Sequence, residues 1–334
     1  MIFEVGEVYF DTPYLFADIV ELLLITNNFG RSQVHENDLS SLLRVGLPSI
    51  DELDDILTFE SDPTLSTAQR KDVLREKLED VFSHLEYRQK EFGNFYPYTV
   101  SDKQLSRKEH LTAIQQLYIF LLTCSRLRSF PVSGGIRQKW AGYFTKLSKA
   151  ALQGLLASHS GTSIRIFDSH SEDRENYYGH QAAKALEKLG QDMAVNLVIR
   201  RNLPNNPRDT GDSGIDLVAI VDFQDGATSN YVILGQCAAQ EKNWPQKRLD
   251  NHPSALRHLF HQLVSPFNVV FIPVCYRQSS GEWFEIKHAN DILLLDRLRI
   301  LNLINWQDKA ECLIGSDWFI DFNKQIQEAR LDWE

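Results

Sequence analysis

The sequence predicts an α/β protein in which a mixed β-sheet is flanked by helices and preceded by a helical N-terminal region. Three observations lead there. The stretch from Gly211 to Lys247, GDSGIDLVAIVDFQDGATSNYVILGQCAAQEKNWPQK, holds two β-rich apolar runs, Ile215 to Asp222 and Tyr231 to Ala238, joined across an Asp225-Gly226 turn signal. Segments around it follow in the order helix, strand, hairpin, helix, strand, which suits a mixed sheet with helices packed on it. Before residue 130, helical periodicity dominates instead. FPVSGG, Phe130 to Gly135, is the clearest internal boundary and divides the chain into 1–132 and 133–334.

In order, Tyr14 to Asn27 is apolar enough for a buried helix. Asn37-Asp38 offers an N-cap for a short helix ending near Pro48, and Ser49 to Phe59 forms a short acidic one. Thr67 to Phe92 is the clearest helix: Val73, Leu74, Leu78, Val81, Phe82 and Leu85 recur at three- and four-residue steps. Its charged face, with Lys71, Arg75, Glu76, Glu79 and Asp80, is read as solvated. A polar stretch with Gly93 and Pro97 precedes a largely buried helix from Arg107 to Arg128. After the boundary come a helix over Gln138 to Ser158, a strand over Thr162 to Phe167, and a helix over Tyr178 to Gly190 with Gly190 as its C-cap. Met193 to Arg200 alternates like a strand. Beyond the hairpin, the sequence suggests a helix from Pro253, a buried strand over Asn268 to Cys275, a helix over Asp291 to Leu303 and a last helix over Trp318 to Trp333.

The chain has 334 residues, 43% hydrophobic and 24% charged, the proportions of a globular protein. Its longest apolar runs fall short of the ~18 residues a membrane span needs. MIFEVGEVYF lacks the basic-then-apolar pattern of a signal peptide. Cys124, Cys237, Cys275 and Cys312 lie far apart with no C-x-x-C pair, so the expectation is a reduced, cytoplasmic protein without structural zinc. A net charge of −10 argues against a protein that coats nucleic acid nonspecifically. It leaves room for a local basic cleft, and Arg200, Arg201, Arg208, Lys242, Lys247, Arg248 and Arg257 surround the hairpin.

If the hairpin is symmetric about Gly226, Asp216 lies opposite Gln236, and directly opposed residues have Cβ atoms about 4.5–5.5 Å apart on one face. A carboxylate and an amide oxygen so placed can grip one hard cation. An acid inside IDLVAIV has no packing motive of its own.

These residues resemble a known pattern. An acid in a G-D-x-G-(I/V)-D-(L/V) strand start, followed one strand later by Q-x-K or E-x-K, marks the PD-(D/E)xK nuclease superfamily, and the Gln form resembles the Mrr-like restriction endonucleases. Asp216 in GDSGIDLV and Gln236 in LGQCA match by type and order, whereas Ala238 stands in the lysine position. GQCA…NW..K is also similar to a group of prokaryotic nuclease-like proteins associated with anti-phage defence. The resemblance runs roughly from Phe144 to Ile300. It implies a restriction-endonuclease-like fold and Mg²⁺- or Mn²⁺-dependent hydrolysis of phosphodiester bonds in DNA. It implies Asp216, Gln236 and the Cys237 main-chain carbonyl as metal ligands, with Lys247 or Lys242 replacing the missing lysine. Relatives often place a helical Glu upstream of the hairpin, and this chain offers none at the equivalent place.

Other features carry less chemistry. Cys237 alternates away from the Asp216–Gln236 pair and reads as a small buried hydrophobe. Asp212 sits in the turn before the strand as an outside ligand. Asp222 lies about 20 Å from Asp216 along the strand and belongs to no common metal site with it. His258 and His261 form an H-x-x-H without a third ligand, and GDSG lacks any matching His and Asp for a serine nucleophile. Lys247 follows Trp244-Pro245, where Pro suits a first helical turn and Trp an anchor; Lys242 lies in a polar connection. Three readings stand: an Mg²⁺-dependent endodeoxyribonuclease of prokaryotic defence, a nuclease-like subunit that has lost its lysine and serves binding or sensing, or a structural scaffold for a defence complex that uses the charged helical region. The acidic residues 1–132 are expected to bind protein, either another copy or a partner, and no membrane.

Overall fold

The computed structural model describes residues 11–25, 32–36, 39, 67–130, 135–197, 211, 213–227, 230–248, 256–257, 259–261 and 263–327. In chain order these form helix α1 (Pro13–Ile25), strand β1 (Gln33–His35), helix α2 (Thr67–Phe92), strands β2 (Tyr98–Ser101) and β3 (Gln104–Arg107), and helices α3 (Ala113–Ser125) and α4 (Ile136–Leu155). Strand β4 (Thr162–Ile166), a π-helical turn (Arg174–Tyr178) and helix α5 (Ala182–Asp192) follow, then strands β5 (Asn196–Leu197), β6 (Leu217–Val221) and β7 (Tyr231–Cys237). The short helix α6 (Trp244–Lys247) leads to strands β8 (Phe260–His261), β9 (Phe267–Phe271) and β10 (Leu293–Leu295), and helices α7 (Arg297–Ile304), α8 (Lys309–Ile314) and α9 (Asp317–Gln327) close the described chain. No helix among the described residues is long and apolar enough to cross a membrane. The short helices expected near residues 38–48 and 49–59 lie outside the described residues.

Contacts group the chain into two compact units: Met1–Trp140 with Val274–Phe284 and Ala310–Glu334, and Ala141–Pro273 with Glu285–Lys309. A single cut at 132/133 cannot capture segments that return late in the sequence.

In the first unit, α1 is apolar nearly all round and Tyr14 through Leu24 are buried, including Asp18 and Glu21. Two buried acids demand compensation. Arg88 of α2 reaches Asp18 at 2.7 Å and Glu21 at 2.9 Å, all three side chains being fully enclosed. Tyr96 and Tyr118 hydroxyls donate to Glu21, and Ser125 donates to Asp18. Arg88 Nε also donates to His84 Nδ1, which puts the imidazole proton on Nε2, 3.0 Å from the Arg277 carbonyl. Burial works against the Arg88 charge, and Glu21 and then Asp18 outweigh it and raise its pKa.

The N-terminal region is more than helical. Strands β1, β3 and β2 form an antiparallel sheet in that order. The β2–β3 hairpin turns on Asp102 and Lys103, both left-handed with φ of 50° and 58°, and buries Tyr98, Val100 and Leu105 on alternate positions. Four-residue strands give too short an alternation to stand out beside the helical periodicity. Helix α3 starts later than Arg107, behind a capping box in which Thr112 and Gln115 exchange side-chain and backbone bonds.

The second unit is built on a five-stranded mixed sheet of order β10-β9-β7-β6-β4. Strands β4, β6 and β7 form an antiparallel meander, while β9 runs parallel to β7 and β10 parallel to β9. One face carries Val218, Ile220, Val232 and Leu234 and packs on Ala185, Leu186 and Leu189 of α5. At about 1.5–3 kcal/mol for each large apolar side chain removed from water, this cluster is a main source of the unit's cohesion.

Three local expectations change. Helix α5 runs through Gly190 to Asp192, and the left-handed residue beyond it is Ala194 with φ 54°. Phe260–His261, expected in a helix, instead pairs antiparallel with Asn196–Leu197. Of the H-x-x-H pair, His261 is exposed on this strand and His258 lies outside the described residues. DILLLDRLRILNL is split: Leu293–Leu295 is a strand, and Asp296 caps α7 by accepting from the Arg299 N–H at 3.1 Å. An unbroken apolar run fits either element, and pairing with β9 decides for strand.

Candidate functional site

Asp216 and Cys237 come together where β6 begins and β7 ends. The β6–β7 ladder has Leu217 paired with Gly235 and Val221 with Tyr231, the register expected for symmetry about Gly226, but the expected Asp216–Gln236 pair lies beyond its last rung. Gly235 suits a tight spot there: a Cβ would lie 3.0 Å from Leu217 Cβ and 3.2 Å from the Phe271 ring, so those neighbours would have to give way. The ladder stops one residue short of Asp216. Asp216 N–H donates to the Gly235 carbonyl, and its carboxylate Oδ2 accepts the Cys237 N–H at 2.6 Å. On the other side, Phe167 N–H donates to the Asp216 carbonyl at 2.7 Å. The acid is thus fixed to the strands on both flanks. It is half-buried, and Gln236 is buried.

The chain enters Asp216 through Ser213 (φ 57°) and Gly214 (φ 75°), two consecutive left-handed residues. A serine in that region is uncommon and costs energy that surrounding contacts must offset. Asp212 lies outside the described residues. Asp222, at the far end of β6, accepts the Gln224 N–H at 2.8 Å in a local turn.

Cys237 turns its thiol toward the hydroxyls of Thr145 and Ser148 on α4. Burial first, and the Asp216 carboxylate second, push the thiol pKa well above its ordinary value. A protonated thiol is no nucleophile, which leaves the main-chain carbonyl as this residue's donor. Asp168, just past the end of β4, acts on the same thiol. It accepts the His170 N–H at 2.8 Å in a tight turn.

Ala238 is buried, with its N–H bonded to the Phe271 carbonyl. Lys242 is exposed in the connection after β7. Lys247 ends α6, with Pro245 in the first turn and Trp244 fully buried, its ring edge-on to His288 at 5.9 Å. The next residue, Arg248, donates to the Lys287 carbonyl and accepts from the Asn268 amide, so the segment holding Lys247 is tied at both ends.

Sequence reasoning missed the supports behind Asp216. Asp173 accepts the Ile166 N–H at 2.7 Å and pairs with Lys149 of α4 at 2.8 Å. Burial would raise its pKa, but the hydrogen bonds from Lys149 and Ile166 hold it below the usual carboxylate value. Arg174 is fully buried and donates to backbone carbonyls of Phe167, Gly179 and Gly211. The acid–serine-rich run DSHSEDR after a strand was the one available sign of such a knot.

Among the described residues, no group of three or more His, Cys, Asp and Glu side chains stands ready for a metal. The Asp216–Gln236–Cys237 carbonyl set contains one carboxylate. All its donors are hard oxygens, the kind Mg²⁺ and Mn²⁺ take, and Mg²⁺ commonly completes its shell with water and substrate phosphate. No family model, no curated protein and no solved structure matches this chain.

Proposed function

We propose that this protein is a metal-dependent nuclease of restriction-endonuclease-like fold acting on DNA. One observation carries the reading: Asp216, just before β6, is anchored by the N–H of Cys237, the residue that follows buried Gln236. A carboxylate would share the metal there with the amide oxygen of Gln236, near the strand ends of a mixed sheet. The order of elements supports it, with α4, a three-strand meander, the α6 segment and then β9 parallel to β7.

Asp216, Gln236 and the Cys237 carbonyl would hold Mg²⁺ or Mn²⁺, which when bound neutralises phosphate charge and acidifies water. The Cys237 N–H keeps the Asp216 carboxylate oriented. Lys247 would set an ammonium against the negative charge that develops on the scissile phosphate. Lys242 is the other candidate. A role in prokaryotic defence rests on the sequence resemblance, and residues 1–132 would bind another copy or a protein partner.

The buried Ala238 favours a second reading, a nuclease-like subunit that binds nucleic acid without cutting it. Incubating supercoiled plasmid with the protein and Mg²⁺ or Mn²⁺ separates the two. The nuclease cuts, and Asp216→Ala does not. Full cleavage by a well-folded Asp216→Ala protein would overturn the site.

A further inference from the structure

We infer that Arg174 is a positioning residue for Asp216, a role that rests on the nuclease reading of that acid. The guanidinium is fully enclosed and lies 4.6 Å from the Phe167 ring centroid. Nε donates to the Gly179 carbonyl at 2.9 Å, Nη1 to Phe167 at 3.0 Å and Nη2 to Gly211 at 3.1 Å. Two of these carbonyls bracket Asp216. Gly211 begins the segment that leads to it, and the Phe167 N–H holds the Asp216 carbonyl from the neighbouring strand. Arg174 therefore fastens both sides of the acid to one rigid fork.

The backbone between them needs such a clamp. Ser213 and Gly214 are both left-handed, and a strained turn persists only where its surroundings over-determine it. Ser171 ties the same knot from below, its hydroxyl donating to the Ile166 carbonyl while the Arg174 N–H donates to that hydroxyl. A lysine at position 174 would keep the charge but lose the planar fork that serves separate carbonyls at once. Metal ligands held loosely lose affinity and rate, because the orientation of a ligand depends on the groups behind it.

The test is amide hydrogen exchange on the full chain as parent, Arg174→Lys and Arg174→Gln, with Mn²⁺ affinity and plasmid cleavage measured alongside. In Arg174→Lys, exchange at Phe167 and Asp216 should accelerate at least tenfold. The amides of Ala238 and Ile272, bonded across the same sheet to Phe271 and Leu295, should keep their protection. Mn²⁺ affinity should fall severalfold. Unchanged exchange at Phe167 and Asp216 would overturn the role, as would equal acceleration throughout the sheet or unfolding of both variants. Selective acceleration in a protein whose parent neither binds Mn²⁺ nor cuts DNA would keep the clamp and overturn the nuclease reading alone.

Discussion

The Asp216 carboxylate accepts the Cys237 backbone N–H at 2.6 Å, so the neighbouring strand, rather than solvent, sets the acid's direction. Gln236 immediately precedes that N–H and is buried. Replacing Gln236 with Glu adds a carboxylate, the stronger Mg²⁺ ligand. Gln236→Glu is expected to keep or raise Mn²⁺ affinity, read by calorimetric titration. Lost affinity in a folded variant would mean that Gln236 does not touch the ion.

Lys247 and Lys242 differ in where the backbone carries them. Trp244 is buried on one side of Lys247 and Arg248 is hydrogen-bonded on the other, whereas Lys242 is exposed. Catalysis gains from a cation carried on a segment whose neighbours are anchored. Lys247→Ala should lower plasmid cleavage at least a hundredfold with Mn²⁺ binding unchanged, and Lys242→Ala should cost less than tenfold. The reverse ranking would transfer the role to Lys242.

Arg88 sits between Asp18 and Glu21 with all three side chains enclosed. Removing it leaves two buried carboxylates without their cation, a change that costs about 3–5 kcal/mol. Arg88→Met should therefore lower unfolding stability by that amount in chemical denaturation. A loss below about 1 kcal/mol would show that the hydroxyl donors alone suffice.

Asp173 gives a pH-dependent contribution of known sign. Its folded pKa is depressed, so its stabilisation is present above the unfolded carboxylate pKa of about 3.9 and is lost as pH falls through the folded value. At pH 7, Asp173→Asn should cost about 1 kcal/mol. The gap between parent and variant should close as the pH is lowered past that range. A gap that persists in acid would mean the loss is steric.

Much of the second unit was legible because its signals are local. A DG turn between two apolar β-rich runs points to the β6–β7 register from Leu217 to Val221, and in the first unit the three- and four-residue spacing marks Thr67–Phe92. The strand Leu293–Leu295 was not legible, since LLL suits a helix equally until β9 lies beside it. Nor were the partners of Asp18 and Glu21. Both acids stood in plain view on an apolar helix, but Arg88, Tyr96, Tyr118 and Ser125 lie far along the chain. Arg174 was hidden for the same reason: its value lies in three carbonyls that only the folded chain brings together.

Asp216→Asn tests the central claim most directly, because the amide oxygen can still accept the Cys237 N–H while the negative charge is gone. Plasmid cleavage should be followed for parent and variant across a Mn²⁺ titration, with circular dichroism as the check on folding. The parent should cut with a saturable Mn²⁺ dependence, and the folded variant should not cut at any concentration. Cleavage by Asp216→Asn at the parent's rate, or a parent that never cuts, would contradict the account.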